Sequence, residues 1–306
     1  MKSKSNNLTT SYERVNPVQE QNFPIIPFEK LNLMDSFLFE SATEKPENAV
    51  TIAKVIIERA TGRKVEKLVV HPQKDLKGIN INKHGIRMDV YTEEIAETGN
   101  NTSVTCVYDI EPNNYSEKDI PRRNRYYQSM IDSKLLPTGE PYKKLPDMFS
   151  IWILPNDPFG DGRMIYTVKN LVEENNQIVY NDGVTKIFLY TGGTVGGSKK
   201  LKELLRFMEN STYDYAVDED LSKLMNIVDA IKGDSEERRR YMGIMNVIDY
   251  EKRDAYIHGL IHAYKSLNLS KEIAKTNIME EFSFNETIAQ EYISRYWDVL
   301  PNNTQP

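Results

Sequence analysis

Apolar residues recur along the first two-thirds of the chain with the spacings of helices and strands. Between Pro46 and Gly62 they repeat every three or four residues, which predicts a helix with one buried face. A second helix is predicted to begin at Pro121, because proline is tolerated in a first helical turn. Short apolar runs bounded by polar residues predict strands at 65–71, 85–90, 104–113, 149–154, 164–168 and 185–190.

The order of these elements predicts an α/β domain. Polar loops, including 93–102, join the first three strands, which favours antiparallel pairing, and the helix at Pro121 can serve as the crossover to the fourth. The continuous apolar run 149–154 predicts a strand covered on both faces. From Ser198 onward the pattern predicts helices alone. We therefore expect a disordered polar lead-in at 1–27, an α/β domain at 28–197 and a helical region at 198–306.

The composition of the chain limits which cellular compartment and which binding partners are expected. The chain of 306 residues has one cysteine, Cys106, which excludes a disulfide framework or a thiolate zinc cluster from this chain alone and fits the cytoplasm. The net charge of −6 gives no overall attraction to nucleic acid, so binding to it would need a local basic face. No apolar run is long enough to span a bilayer, so we expect no membrane association.

Two of the predicted strands carry acids. Asp89 lies in the run GIRMDV, and Glu111 lies in the run VTCVYDIEPN together with Asp109 and Asn113. Residues two apart share a face of a strand, so Asp109, Glu111 and Asn113 point the same way, and Asp89 is expected on the solvent side of its own strand. Carboxylates on adjacent strands suit magnesium, which prefers oxygen ligands and keeps several waters. That chemistry suggests phosphodiester hydrolysis.

Several motifs in order carry a resemblance to a known family. A strand with Ile-Glu is followed by a helix R-x-R-Y-Y, a turn G-x-x-Y-x-x-L and an apolar strand ending in D-x-F-G. The matching residues are Ile110, Glu111, Arg123, Arg125, Tyr126, Tyr127, Gly139, Tyr142, Leu145, Asp157, Phe159 and Gly160. From about residue 33 to residue 194 the chain resembles the bacterial PD-(D/E)xK nuclease family transposases, relatives of the recombination-promoting Rpn nucleases.

The resemblance implies a fold and a set of catalytic residues. The fold is a restriction-endonuclease-like core, a mixed sheet flanked by helices, with an all-helical extension. Asp89 and Glu111 would ligate Mg²⁺, for which Mn²⁺ can substitute, and the metal would polarise the scissile phosphate and lower the pKa of the attacking water. The third catalytic position is lysine in most of the superfamily and glutamine in this group. Here it is Asn113, which departs from the family's pattern and lacks the positive charge of lysine.

Further residues are candidates for supporting roles. Arg123, Arg125 and Tyr126 are candidates for contact with phosphate, because guanidinium groups bind it bidentately, although the arginines could equally be solvated residues of a helix surface. Asp35, Glu47 and Asp109 are candidates for auxiliary acids. For Glu47, and for Glu58 in the same helix, a solvated helix surface is the alternative reading.

Three other patterns are not assigned to a site. The stretch GGTVGGSK at 192–199 is similar to a P-loop but has Ser198 before Lys199, in the wrong order. His258 and His262 lie four apart without the glutamate of zinc proteases, so we expect packing or surface histidines, with a structural metal left open. Cys106 lies on the opposite face of its strand from Glu111 and is expected in the core.

The sequence thus predicts a metal-dependent DNA endonuclease, which its family links to mobile elements or recombination. The alternative is a weakened nuclease-fold module that binds nucleic acid or a protein partner, which the departure at Asn113 motivates. The last two predicted helices are interpreted as a packing or dimerisation hairpin rather than a helix-turn-helix reader of DNA, so a homodimer stays open.

Overall fold

The fold was analysed in a computed structural model that describes residues 26–77, 85–98, 101–113 and 119–298. The chain divides into two compact units, one formed by residues 26–241 and one whose described part is 242–298. The boundary predicted at residue 198 lies inside the first unit. Apart from Ile26 and Pro27, the predicted lead-in lies outside the described residues.

A six-stranded mixed sheet forms the centre of the first unit, in the order β1-β2-β3-β4-β8-β5. The strands β1, β2 and β3 are antiparallel, β3, β4 and β8 are parallel, and β5 is antiparallel to β8. A separate pair is formed by β6 and β7. The strands are β1 Leu68–Leu76, β2 Ile86–Thr98, β3 Asn101–Pro112, β4 Asp147–Leu154, β5 Ile165–Val168, β6 Leu171–Val172, β7 Asn175–Val179 and β8 Val184–Tyr190. The predicted mixed α/β class is confirmed.

Helices accompany the sheet in the first unit. They are α1 Ser36–Thr43, α2 Pro46–Thr61, α3 Ile120–Leu135, α4 Lys199–Asn210 and α5 Glu219–Lys232, and short 3-10 helices lie at Phe28–Lys30, Tyr142–Lys144 and Tyr213–Tyr215. The helix predicted from Pro46 is confirmed: proline stands in its first turn, and Gly62 ends it with a φ of 72° that favours glycine. The helix α6, Ser235–Ser266, crosses the division between the units.

The helix α3 connects the parallel strands β3 and β4, as the predicted crossover requires. It packs on the sheet through a core of Ile120, Tyr127, Met130, Ile131, Trp152, Phe188 and Tyr91 with their neighbours. In β4, Ile151 and Ile153 alternate with Trp152 and are also buried, so this strand is covered on both faces, as predicted.

Several strand boundaries differ from the prediction. The predicted loop 93–102 is largely strand, because β2 continues to Thr98 and β3 begins at Asn101. The extension is rich in polar residues, so the alternation that signals a strand is absent from its sequence. It also contains a register shift between Glu94 and Ile95. The first strand runs from Leu68 to Leu76 rather than over 65–71, and the exposed β6–β7 pair was not predicted.

The second unit is helical. The helices α7, Lys271–Phe282, and α8, Glu286–Tyr296, pack with the end of α6 around Ile257, Ile261, Ala274, Ile278, Ala289 and Ile293. The spacing of Ser283 and Glu286 predicts a capping box at the start of the last helix, and this prediction is wrong. The cap of α8 is Asn285, whose side-chain oxygen accepts the Ile288 N–H at 3.0 Å. Ser283 instead ends α7 in the left-handed region, with a φ of 53°. No helix in the described parts of the chain is long and apolar enough to cross a membrane.

Candidate functional site

The acids predicted from sequence meet where β2 and β3 run side by side. The register pairs Val90 with Ile110 and Tyr91 with Asp109. One step further along, the Asp89 backbone N–H donates to Oε1 of Glu111 at 3.0 Å. The structure therefore brings Asp89 and Glu111 together. The prediction follows from antiparallel pairing of the two strands, together with the alternation of side chains along each strand.

The environment of these acids differs from the solvent face that was expected. Asp109, Glu111 and Asn113 are only 1%, 2% and 6% exposed. The cause is the parallel strand β4, which lies on the other side of β3 and places Ser150 beside Asp109 and Trp152 beside Glu111, under the helix α3. Asp109, a candidate auxiliary acid, is therefore a buried residue of the cluster and not a surface residue.

A polar layer at Ser150 partly satisfies the buried groups. Its hydroxyl accepts from Nδ2 of Asn124 at 2.9 Å and from Nε1 of Trp152 at 3.0 Å, and lies 3.5 Å from Oδ2 of Asp109. The other carboxylate oxygen, Oδ1 of Asp109, is buried and has no hydrogen-bond partner among the described residues. An unsatisfied buried oxygen is costly, which marks this position as more than packing.

Arg123 approaches the acids from α3. Its Nη2 lies 3.8 Å from Oε2 of Glu111 and donates to the Tyr127 hydroxyl at 2.9 Å. The guanidinium carbon also lies 5.1 Å from the centre of the Tyr127 ring and 5.2 Å from that of Trp152. These contacts hold the guanidinium group at the edge of the acidic cluster.

The two other phosphate-contact candidates lie elsewhere on the helix. Arg125 is exposed, and Tyr126 is 38% exposed. A helix turns by about 100° per residue, so a residue two positions after Arg123 points away from the sheet. The structure thus brings Arg123, but not Arg125, to the acids.

Burial raises the pKa values of all three acids, and repulsion by a neighbouring acid of the cluster adds to the shifts of Asp109 and Glu111. Burial, followed by the charges of Asp109 and Asp89, raises the pKa of Glu111 well above its usual value. Burial raises the pKa of Asp109 to about 7, with the charge of Asp89 adding to it and a hydrogen bond with Glu111 opposing it. Burial likewise raises the pKa of Asp89 to about 6, against the lowering effect of Arg123.

Glu40, an exposed acid of α1, is the residue of the leading helices whose charge acts on the cluster, and sequence reasoning missed it. Its charge contributes to the raised pKa of Asp89, and its Oε1 lies 3.1 Å from Nη2 of Arg87. Asp35 instead caps α1, where Oδ1 accepts the Phe37 N–H at 3.0 Å, and Glu47 is exposed in the first turn of α2. No sequence pattern distinguishes Glu40, because its approach depends on how α1 packs on the sheet.

The backbone is irregular beside Asp89. The register of β1 and β2 pairs Pro72 with Val90 and Lys74 with Met88, but leaves Gln73 unpaired at the level of Asp89. Gln73 has a φ of 50°, which is uncommon for a residue with a side chain and costs energy. Its side-chain oxygen accepts from Arg87. Non-glycine residues in this conformation cluster at functional sites.

The donor set at this cluster suits a hard divalent cation with few protein ligands. Three or more His, Cys, Asp or Glu side chains do not converge into a metal-binding group within the described ranges. Mg²⁺ is usually held by one or two carboxylates together with water and substrate phosphate, so the pair of Asp89 and Glu111 fits this ion better than it fits an all-protein cage.

The D-x-F-G motif has a local structural role. The carboxylate of Asp157 accepts the N–H groups of Phe159, Gly160 and Gly162 and the hydroxyl of Tyr166, at distances between 2.6 and 3.0 Å. Burial raises the pKa of Asp157, but these hydrogen bonds outweigh it and bring the pKa to about 2. This aspartate therefore shapes the loop after β4.

The remaining patterns behave as packing residues. Cys106 is buried in the core, as expected, and burial raises the pKa of its thiol to about 11. The rings of His258 and His262 lie 4.8 Å apart within the helical unit. Each has a buried Nε2 without a hydrogen-bond partner among the described residues.

Comparison with known proteins does not add a relative. The chain matches no protein-family model, no curated protein and no solved structure.

Proposed function

We propose that this protein is a magnesium-dependent nuclease that hydrolyses phosphodiester bonds of DNA. The observation that carries the proposal is the cluster of the half-buried Asp89 with the buried Asp109 and Glu111, in which neighbouring carboxylates repel one another. Arg123 is the guanidinium group that reaches Glu111, so negative charge exceeds positive charge in the cluster. A cation bound by these oxygens would relieve the repulsion.

Different residues of the cluster would hold the metal and contact the phosphate. Asp89 and Glu111 would hold Mg²⁺ or Mn²⁺, which when bound polarises a phosphate and lowers the pKa of water. Arg123 lies where it can bind a phosphate oxygen, and its contacts with Tyr127 and Trp152 fix its orientation before substrate arrives. The helix α3 and Trp152 limit access of bulk water to the acids, which strengthens the electrostatic interactions in the site.

DNA as substrate, and a role in recombination or mobile elements, follow from the motif resemblance alone. The arginine at the acid cluster and the exposed Arg125 and Tyr126 on the same helix support contact with a polyanion. Dimerisation through the helical unit stays a prediction that sedimentation of the full chain can check.

The proposal is tested by incubating supercoiled plasmid with the purified chain and Mg²⁺, Mn²⁺ or EDTA. We expect nicking with either metal and none with EDTA. Asp89→Ala should abolish nicking while leaving the circular dichroism spectrum unchanged, because Asp89 contributes a metal ligand and only its backbone N–H supports Glu111. Asp75→Ala, which removes an exposed acid from β1, is the matched control. Equal nicking by the two variants would refute the assignment.

Asn113 motivates a second candidate function, a nuclease fold that binds nucleic acid or a protein partner with little turnover. Asn113 is buried at the end of β3, where its N–H donates to the Ile153 carbonyl at 2.9 Å, and it supplies no positive charge to the cluster. We expect Asn113→Lys to raise the nicking rate by at least about tenfold, because a cation there stabilises developing negative charge.

Asn113→Gln is the control for that experiment, because it restores the amide of the resembling group without a charge. A gain with lysine or with glutamine would indicate catalysis weakened at this position. No gain with either, in a chain that binds DNA without nicking it, would favour the binding module.

A further inference from the structure

A cavity lined by many charged residues lies in the first unit, away from the acid cluster. Its volume is about 490 Å³, and its walls come from α2, from the turn after α2 and from the beginnings of α4 and α5. None of the residues of the acid cluster lines it. A ligand bound in this cavity would therefore occupy a site separate from the proposed metal site.

The walls of this cavity are strongly basic in a chain of net charge −6. Two acids line it, Glu58 and Asp220. The positively charged residues that line it are Lys54, Arg59, Arg63, Lys64, Lys200 and Lys223. Among the lining residues, positive charge thus exceeds negative charge by four before the acids outside the lining that pair with some of them are counted. An excess of this sign is the pattern expected of a site for an anion.

Ion pairs neutralise this charge only in part. Lys54 and Lys64 share Glu58, at 4.0 Å and 2.6 Å. No ion pair of Lys200 is found within the described portion of the chain. Lys223 pairs with Glu219, which is 85% exposed, so the pair is weak in water. Arg59, Arg63 and Lys64 are paired with Asp218, Glu94 and Glu58, respectively. An anion in the cavity would therefore meet Lys54, Lys200 and Lys223 as the lysines that lack strong partners.

Arg59 fixes the shape of the wall. Its side chain is only 4% exposed, and Nη2 lies 2.7 Å from Oδ2 of Asp218 at the start of α5. Its Nη1 donates to the Lys200 backbone carbonyl at 3.0 Å in the first turn of α4. The buried arginine therefore holds the beginnings of both helices against α2, so the cavity is formed before any ligand binds.

The beginning of α4, which has no acid in its first turn, adds to the positive potential. Ser198 caps α4 by accepting the Leu201 N–H at 3.1 Å, and it lines the cavity beside Lys200. The positive ends of helix dipoles favour anions. The glycines before Ser198 have a packing role instead, since a side chain at Gly193 would meet the Met164 backbone at 2.5 Å.

We propose that this cavity binds a small polyphosphate, either free or as the phosphate tail of a nucleotide. A concave pocket of this size with lysines on three elements fits a compact anion carrying several charges. A DNA backbone needs an extended basic surface instead. The lysine side chains of α2, α4 and α5 carry the recognition, whereas a P-loop would use the amides of its glycine-rich turn.

The test is calorimetric titration of the full chain with inorganic triphosphate and, separately, with ATP, in EDTA and about 50 mM salt. We expect saturable binding at one site per chain. The double variant Lys54→Gln with Lys200→Gln should weaken it by at least about tenfold. Lys199→Gln is the matched control, because Lys199 is the neighbour of Lys200 but does not line the cavity; it should change the affinity by less than about twofold.

A second measurement does not depend on the variants. In the intact chain, triphosphate should protect Lys54 and Lys200, but not Lys199, from an amine-reactive reagent. Equal affinity for triphosphate and ATP would identify the polyphosphate as the whole ligand, and tighter binding of ATP would identify a nucleotide.

Other outcomes would overturn the proposal. These are the absence of saturable binding of both probes, equal weakening by Lys199→Gln, or unselective protection of the three lysines. Binding of duplex DNA that depends on Lys54 and Lys200, without binding of triphosphate, would assign the cavity to nucleic acid and would also overturn it. Asp89→Ala should leave triphosphate binding unchanged, which separates this proposal from the nuclease proposal.

Discussion

Replacement of Glu111 by glutamine is expected to abolish metal-dependent nicking and, at pH 8, to raise the free energy of unfolding. The rate should fall by at least about a thousandfold, equivalent to roughly 4 kcal/mol of transition-state stabilisation, because a metal ligand is lost. Stability should rise because a buried carboxylate with a raised pKa is replaced by a neutral group of the same shape. The glutamine oxygen can still accept the Asp89 N–H.

Opposite changes in activity and stability distinguish a functional role from a structural one. They are measured by the rate of plasmid nicking and by urea denaturation of the same preparations. Glu97→Gln is the control, because it removes an exposed glutamate from β2 that pairs only with Lys67 among the described residues. Loss of both activity and stability in Glu111→Gln would show that the carboxylate serves the fold, and unchanged nicking would exclude it as a ligand.

The second large effect is a pH dependence of stability that Mg²⁺ reverses. Because folding raises the pKa values of Asp89 and Asp109 to about 6 and about 7, the folded chain binds their protons more tightly than the unfolded chain does. Their contribution to stability is complete below the unfolded pKa of about 4 and is lost as the pH rises through about 6 and about 7. Between pH 5 and pH 8 the free energy of unfolding should fall by about 2–4 kcal/mol.

Added Mg²⁺ should restore stability at pH 8 but have little effect at pH 5, where the carboxylates carry protons. Thermal denaturation with Mg²⁺ or EDTA at the two pH values measures both effects, and Asp109→Asn should flatten the pH dependence. Acids whose pKa values are lowered by folding, such as Asp218 with its backbone and Arg59 hydrogen bonds, contribute changes below about pH 4.5 and do not obscure this window. Stability that rises from pH 5 to pH 8 would contradict the prediction.

The sequence was sufficient to predict the meeting of Asp89 and Glu111. It depends on strand periodicity and on antiparallel pairing of neighbouring runs, which are local signals. Burial of the acids could not be predicted in this way, because it depends on β4 and α3, which reach β3 from later in the chain. The same limit applies to Glu40, whose approach to Asp89 is set by tertiary packing.

The different positions of Arg123 and Arg125 could have been predicted from sequence. Ile120, Asn124, Tyr127 and Ile131 repeat at intervals of three and four and form the buried face of α3. Arg123 flanks that face one turn before Tyr127, whereas Arg125 lies outside it. Helical phase alone therefore separates the arginine beside the acids from the exposed one. The R-x-R-Y-Y motif contains both arginines and does not distinguish them.

The cap of α8 shows how competing local signals are resolved. Ser283 and Asn285 are both good capping residues, and the sequence contains the spacing of a capping box at the first. The left-handed turn that ends α7 uses Ser283, so the next helix begins after Asn285. A residue cannot both end one helix in this conformation and cap the next, and that exclusion appears only when the two helices are considered together.

The contacts of Arg59 have a consequence for how the chain folds during synthesis. Its partner Asp218 lies 159 residues later, and the buried Leu33 N–H likewise donates to Ser211, 178 residues later. Contacts of such high sequence separation form late and slow folding. The leading helices therefore cannot complete their packing while the ribosome is still translating the sheet. A nascent chain released before residue 218 would keep a buried arginine without its partner, so stalled or truncated products of this length are expected targets for chaperones and proteases.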